Sequence, residues 1–208
     1  MLGIHDFGIF LAAGILLNLT PGPDTVYILG RSVAQGREAG IASALGISLG
    51  SVFHTCAAAL GLSAILATSA LAFGAIKILG GAYLIFLGIK MLVERRKRLS
   101  LPSNFRRRTT AAAFRQGVFT NVLNPKVAVF FLAFLPQFIH PASSMKVLAF
   151  LTLGLTFVTT GTIWCLILAW FGSAFSERLH RNETVGQWLN RVAGALFIFL
   201  GLRLAAAK

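Results

Sequence analysis

Two short proline motifs carry the side chains best suited to chemistry. The first is Asn18-Leu19-Thr20-Pro21-Gly22-Pro23-Asp24 and the second is Asn121-Val122-Leu123-Asn124-Pro125-Lys126. Pro21 and Pro23 each lack an N–H and clash with the carbonyl four residues earlier, so no helix runs straight through them. Asn124 is a good N-cap and Pro125 suits the first helical position, which predicts a new half-helix starting there. Lys126 then sits in a first turn, where the helix dipole prefers an anion. Something negative is expected beside it, and Asp24 is the candidate. Together with the free amides of the half-helix ends, the two charges suit a zwitterion: Lys126 would take a carboxylate, and Asp24 an ammonium or a proton. A buried ion pair that fixes helix packing is the plainer reading of the same residues.

The elements that must position these groups follow from composition. Of 208 residues 56% are hydrophobic and 12% are charged, and the mean hydropathy is +0.79. A soluble domain carries about a quarter of its residues as charges, and disorder needs low hydrophobicity, so both classes are excluded. Six windows are long and apolar enough to span a bilayer: 4–30, 40–67, 70–93, 111–139, 147–171 and 185–206. The fold class expected is an all-α integral membrane protein of six transmembrane helices, a single domain over 1–208. The N-terminus lacks the basic region and cleavage site of a signal peptide, so it is expected to remain part of the first span.

The net charge of +13 comes from 19 Lys and Arg against 6 Asp and Glu. The cations are not interleaved with stacking aromatics, which argues against nucleic acid as a partner. They lie in gaps: Arg31 and Arg37 in the first; Arg95, Arg96, Lys97, Arg98, Arg106, Arg107 and Arg108 in the third; Arg178 and Arg181 in the fifth. Positive charge collects on the cytoplasmic side, which predicts a cytoplasmic basic loop and both termini outside.

An internal repeat is visible. Gly81-Ala82-Tyr83-Leu84-Ile85-Phe86-Leu87-Gly88-Ile89-Lys90 and Gly194-Ala195-Leu196-Phe197-Ile198-Phe199-Leu200-Gly201-Leu202-Arg203 share six of ten residues. Gly14 to Asn18 matches Gly117 to Asn121 more loosely, each followed shortly by proline. Repeat one spans about 1–93, a basic loop about 94–110, and repeat two about 111–208. Three spans per repeat is an odd number, so the second copy is inverted in the membrane, an architecture of secondary transporters with a site near midplane. The broken spans one and four place Asn18, Thr20, Pro21, Gly22, Pro23, Asp24, Asn121, Asn124, Pro125 and Lys126 at that site.

Elsewhere the signals are plainer. His54, in span two, is a second candidate for proton coupling after Asp24, although a neutral packing histidine explains it as well. Gly40, Ser43, Gly46, Gly50 and Ala57 form a small-residue stripe that lets backbones approach, within one chain or in a homo-oligomer. Trp164, Trp170 and Trp188 read as interface or packing residues. Cys56 and Cys165 lie in repeat-related spans, so a membrane thiol-disulfide conduit is the competing function; neither has a neighbour that would activate a thiol. No metal or cofactor motif and no enzymatic chemistry are read.

The proline motifs, with Gly36-Arg37, Gly40, Gly46 and Gly50, then Gly80-Gly81-Ala82-Tyr83-Leu84 and Gly88, then Phe114, Gly117, Asn121, Asn124, Pro125 and Lys126, resemble the LysE/RhtB family of amino-acid exporters over nearly the whole chain. The resemblance implies an inner-membrane exporter of amino acids or their derivatives, driven by the proton gradient. Among family substrates, one buried acid beside Lys126 leaves little spare negative charge for a basic cargo. The expectation is therefore a neutral amino acid of the threonine, homoserine or leucine kind, moved by alternating access.

Overall fold

The computed structural model describes residues 2–68, 70–93, 109–172 and 183–206. The basic run at 95–98 and 106–108, Arg178, Arg181 and Lys208 lie outside the described residues, as do the side chains of Lys77 and Arg203. The described residues are helical, with one isolated antiparallel bridge between Ile4 and Ile139.

The first apolar window is two helices, α1 (Phe7–Leu19) and α2 (Pro23–Gln35), bent by 47° at the Thr20 to Gly22 break. Gly22 holds the extended N-cap position, Pro23 opens α2, and Asp24 lies in its first turn. Gly36 ends α2 with φ of 89°, a conformation that favours glycine, and α3 (Arg37–Ala57) starts directly after it. A π-helical turn at Ala58–Leu62 joins α3 to α4 (Ser63–Thr68), and α5 (Ala70–Val93) follows.

The fourth window breaks like the first. Here α6 (Thr110–Val122) is capped by Thr109, whose hydroxyl accepts from the Ala112 amide, and α7 (Pro125–Val129) continues through π and 3₁₀ turns to Phe138. The two halves are again bent by 47°. Two identical bends at matched sequence positions have one cause: a proline at the first helical position of the second half, with no i−4 partner across the gap. The remaining helices are α8 (Lys146–Trp170) and α9 (Glu183–Ala206).

Two helices, Arg37–Ile65 and Lys146–Trp170, are long and apolar enough to cross a bilayer, and counting each bent pair as one span gives up to four. Helices α5 and α9 occupy the third and sixth windows and carry shorter apolar stretches, Ile78–Val93 and Arg191–Leu202. Large apolar side chains face outward, with Leu71 88% and Leu60 70% exposed. Water would not tolerate such a surface over whole helices, and lipid covers it at no cost.

Inside, α3 packs against α2, α6 and α8, while α5 pairs with α9. The larger core is built on phenylalanine, with the Phe130 ring centroid 4.7 Å from both Phe134 and Phe157. A second cluster gathers Tyr27, Ile28, Leu29, Ala44, Ile47 and Leu168. Glycine sets the closest approaches. On α3, a Cβ at Gly50 would lie 2.7 Å from the Asn121 Cβ, and one at Gly117 of α6 would lie 2.6 Å from the Ser43 carbonyl oxygen. On the other pair, a Cβ at Gly88 would meet the Gly194 carbonyl at 2.5 Å and one at Gly194 the Gly88 carbonyl at 2.8 Å; one at Gly201 would lie 2.7 Å from the Gly81 carbonyl. In the repeat alignment Gly81 matches Gly194 and Gly88 matches Gly201. Each contact is therefore the mirror of the other, the pattern a two-fold axis between two copies of a segment produces.

Candidate functional site

The two breaks meet at the centre of the described helices. Pro21 cannot donate to the Leu17 carbonyl, its partner had the helix continued, so that oxygen is orphaned. Lys126 takes the place of the missing donor: its ammonium donates to the Leu17 and Thr20 carbonyls, 2.8 Å each. The negative partner that a cation in a first turn calls for is thus the carbonyl end of α1. Lys126 and Asp24 feel each other electrostatically but are not in ion-pair contact. Asn124 fixes the entry to α7, its Oδ1 accepting from the Lys126 amide at 3.0 Å.

Asp24 is held by the other break. Its Oδ2 accepts from Asn121 Nδ2 at 2.9 Å, while Oδ1 is buried and makes no hydrogen bond of good geometry. Asn124 also lies close enough for its side chain to interact with this carboxylate. Asn121, 1% exposed, is a hub: its Oδ1 accepts from Ser51 Oγ at 3.2 Å, and its backbone carbonyl faces His54 Nε2 at 3.1 Å. A carbonyl only accepts, so the histidine donates there. The His54 ring also stacks on Phe131, centroids 5.7 Å apart.

A second asparagine repeats this docking. Asn18 Nδ2 donates to Thr160 Oγ1 at 3.3 Å, and a Cβ at Gly161 would lie 3.1 Å from Asn18 Oδ1. Each broken helix thus lays an asparagine on a glycine of an unbroken helix, Asn121 on Gly50 of α3 and Asn18 on Gly161 of α8. Between them Thr162 of α8 donates to Ser48 of α3 at 2.8 Å.

A cavity of about 40 Å³, counted as room for the centre of a water molecule, lies among these groups. That holds roughly three waters at 10–15 Å³ each, and it is too small for an amino acid. Asn18, Thr20, Gly22, Asp24, Asn121, Asn124 and Lys126 all line it. Pro21, Pro23 and Pro125 shape the breaks behind it, and His54 reaches it through Asn121. The first-turn amides of α2 have no i−4 carbonyl, and Gly22 leaves their end open toward Lys126, whose Nζ would lie 3.8 Å from a Cβ there.

Sequence reading overlooked part of this wall. Ser48 and Ser51 on α3 and Thr162, Trp164 and Cys165 on α8 line the cavity as well. Polar side chains in apolar spans were the available signal for the first three. Trp164 faces the cavity rather than a membrane interface. Trp170 lies under the Arg37 guanidinium, 4.0 Å from ring centroid to Cζ, and Trp188 is exposed. Cys56 and Cys165 are both free; the first is exposed and the second is on the cavity wall, so the structure does not join them. Among the described residues no cluster of His, Cys, Asp and Glu could hold a metal ion.

Comparison with known proteins gives consistent results. The model of the LysE type translocator family matches residues 15–208. An uncharacterized membrane protein of Vibrio cholerae is 32% identical, covering 99% of this chain and 98% of that one. One of Pseudomonas aeruginosa is 29% identical over 99% and 97%. A leucine efflux protein of Klebsiella pneumoniae is 25% identical over 99% and 97%. No solved structure matches.

Proposed function

The chain belongs to the LysE type translocator family, and on that premise we propose that it exports a neutral amino acid or derivative of the threonine, homoserine or leucine type across the bacterial inner membrane. Transport is by alternating access between two inverted three-helix repeats, in exchange for protons. Both termini are outside and the basic loop is cytoplasmic. The observation that carries the reading is the meeting of two equally bent helices at one buried polar cavity, with Asp24 on one and Lys126 on the other.

Each end of a zwitterion has a place there. The carboxylate lies between Lys126 and the first-turn amides of α2, which add the positive end of a helix dipole. The ammonium takes Asp24, whose Oδ1 has an acceptor site to spare. A carboxylate that holds either the ammonium or a proton, but not both, couples the two fluxes through one group.

The reciprocal glycine contacts of α5 with α9 and the paired asparagine docking support the inverted repeat. The small cavity fits an occluded state, which must open on one side to load cargo. The leucine efflux relative is consistent with a small neutral cargo.

Efflux from cells overexpressing the protein, measured across the common amino acids beside an Asp24→Asn control, tests this. Faster loss of one neutral amino acid that Asp24→Asn abolishes, with membrane insertion unchanged, is expected. Normal efflux by Asp24→Asn, or lysine leaving faster than threonine and leucine, refutes it.

A further inference from the structure

The polar groups do not surround the cavity evenly. They come from the two breaks and from Ser48, Ser51 and Thr162, and the apolar remainder of the wall divides in two. Leu17, Val127 and Phe157 belong to the phenylalanine core and are at most 6% exposed. That end is filled, because the Phe157 ring lies 4.7 Å from Phe130 and 5.4 Å from Phe131.

The other end is built differently. Ile47 and Leu168 belong to the second cluster, and Trp164 and Cys165 pack against it while each keeps accessible surface. Gly161, Trp164, Cys165 and Leu168 recur at helical spacing along one face of α8, and Gly161 brings no side chain into the space. Cys165 is also within electrostatic reach of the Asp24 carboxylate.

We propose that this face of α8, with Ile47 of α3 opposite, is the subsite for the cargo's side chain, and that it selects an apolar side chain over a hydroxylated one. The inference rests on the export reading above. An ammonium on Asp24 sets the α-carbon beside Cys165, and a side chain extending from it meets Leu168 and Ile47. Neither residue, nor the thiol, offers a cargo hydroxyl a strong partner. The Thr162 hydroxyl nearby is already spent on Ser48 at 2.8 Å and the Val158 carbonyl at 2.7 Å. A hydroxyl entering this end leaves water without replacement, which disfavours it about ten- to a hundredfold.

Counterflow of labelled leucine and threonine in proteoliposomes of the full chain tests this without any ion gradient. Wild type is expected to move leucine about ten- to a hundredfold faster than threonine at equal concentration. Cys165→Ser lowers that ratio several-fold and Leu168→Thr lowers it further, with threonine flux maintained, while Asp24→Asn stops both. An unchanged ratio in both α8 variants, or a wild type that prefers threonine, overturns the subsite while leaving export intact. Should Leu168→Thr elute as aggregate in gel filtration, Cys165→Ser, a single-atom exchange, decides alone. A wild type that moves neither amino acid sinks the export reading, and the subsite with it.

Discussion

Replacing Lys126 with methionine separates its structural duty from its transport duty. The change keeps an unbranched side chain and removes the ammonium that donates to the Leu17 and Thr20 carbonyls. Each carbonyl then stays buried without that donor, at about 1–3 kcal/mol apiece, so roughly 2–6 kcal/mol is at stake. Part is returned, because methionine no longer pays to desolvate a cation, a cost of several kcal/mol per buried ion. The net loss is expected near 2 kcal/mol by denaturant unfolding in detergent, roughly the middle of the first range less half of it returned.

Its origin is specific, and a second change exposes it. Pro21→Ala restores the N–H that Leu17 lacks, which lets α1 extend by a turn and satisfy the carbonyl from within. The Pro21→Ala, Lys126→Met double variant should therefore recover about 1 kcal/mol relative to Lys126→Met, the net worth of one hydrogen bond. Transport should not recover, since the cargo carboxylate still lacks its cation. Wild-type stability in Lys126→Met, or a double variant no more stable than the single one, would refute the clamp. Efflux by Lys126→Met at the wild-type rate would refute the carboxylate site.

Asn121→Ala removes a hydrogen bond to a charged group worth about 1.5–3 kcal/mol; apparent affinity, read as KM in counterflow, should weaken by tenfold or more, and an unchanged KM would mean that Asp24 needs no such holding. Gly88→Val drives a side chain into the Gly194 carbonyl, a backbone atom that cannot swing aside. Overpacking of this kind costs about 1–3 kcal/mol, so the yield of monodisperse protein in gel filtration should fall, whereas the neighbouring lipid-facing change Phe86→Leu should leave it intact. His54→Phe keeps an aromatic ring beside Phe131 and loses the donor to the Asn121 carbonyl. Stability should drop by about 1 kcal/mol while efflux remains dependent on the pH gradient; loss of that dependence with flux retained would make His54 the proton carrier.

Much of the outline was legible in the linear chain because it rests on local rules. Apolar runs of bilayer length fell on helices, and the 70–93 window coincides with α5. The prolines placed both breaks correctly, since a residue without an N–H fails in any environment. Asn124 was read as a cap from its type alone and caps Lys126 as expected. The small residues of α3 were read as a packing stripe, and Gly46 and Gly50 do abut α6.

What sequence alone determined is therefore solvent, helices and hinge points, each governed by residues within a turn of one another. Tertiary structure decided who answers whom. Lys126 and Leu17 are far apart in the chain, and nothing in either residue announces that a proline-orphaned carbonyl will take the ammonium in place of a carboxylate. Asn121 looked like one polar residue among several and became the hub, because the absence of a Cβ at Gly50 lets α6 come close enough for it to reach Asp24. Cys165 and Trp164 look in sequence like ordinary membrane residues, and the cavity wall is theirs because α8 presents that face to the break in α1 and α2. Local propensity sets where a helix stops, but a partner across the bundle depends on packing distance, which no spacing along one chain encodes.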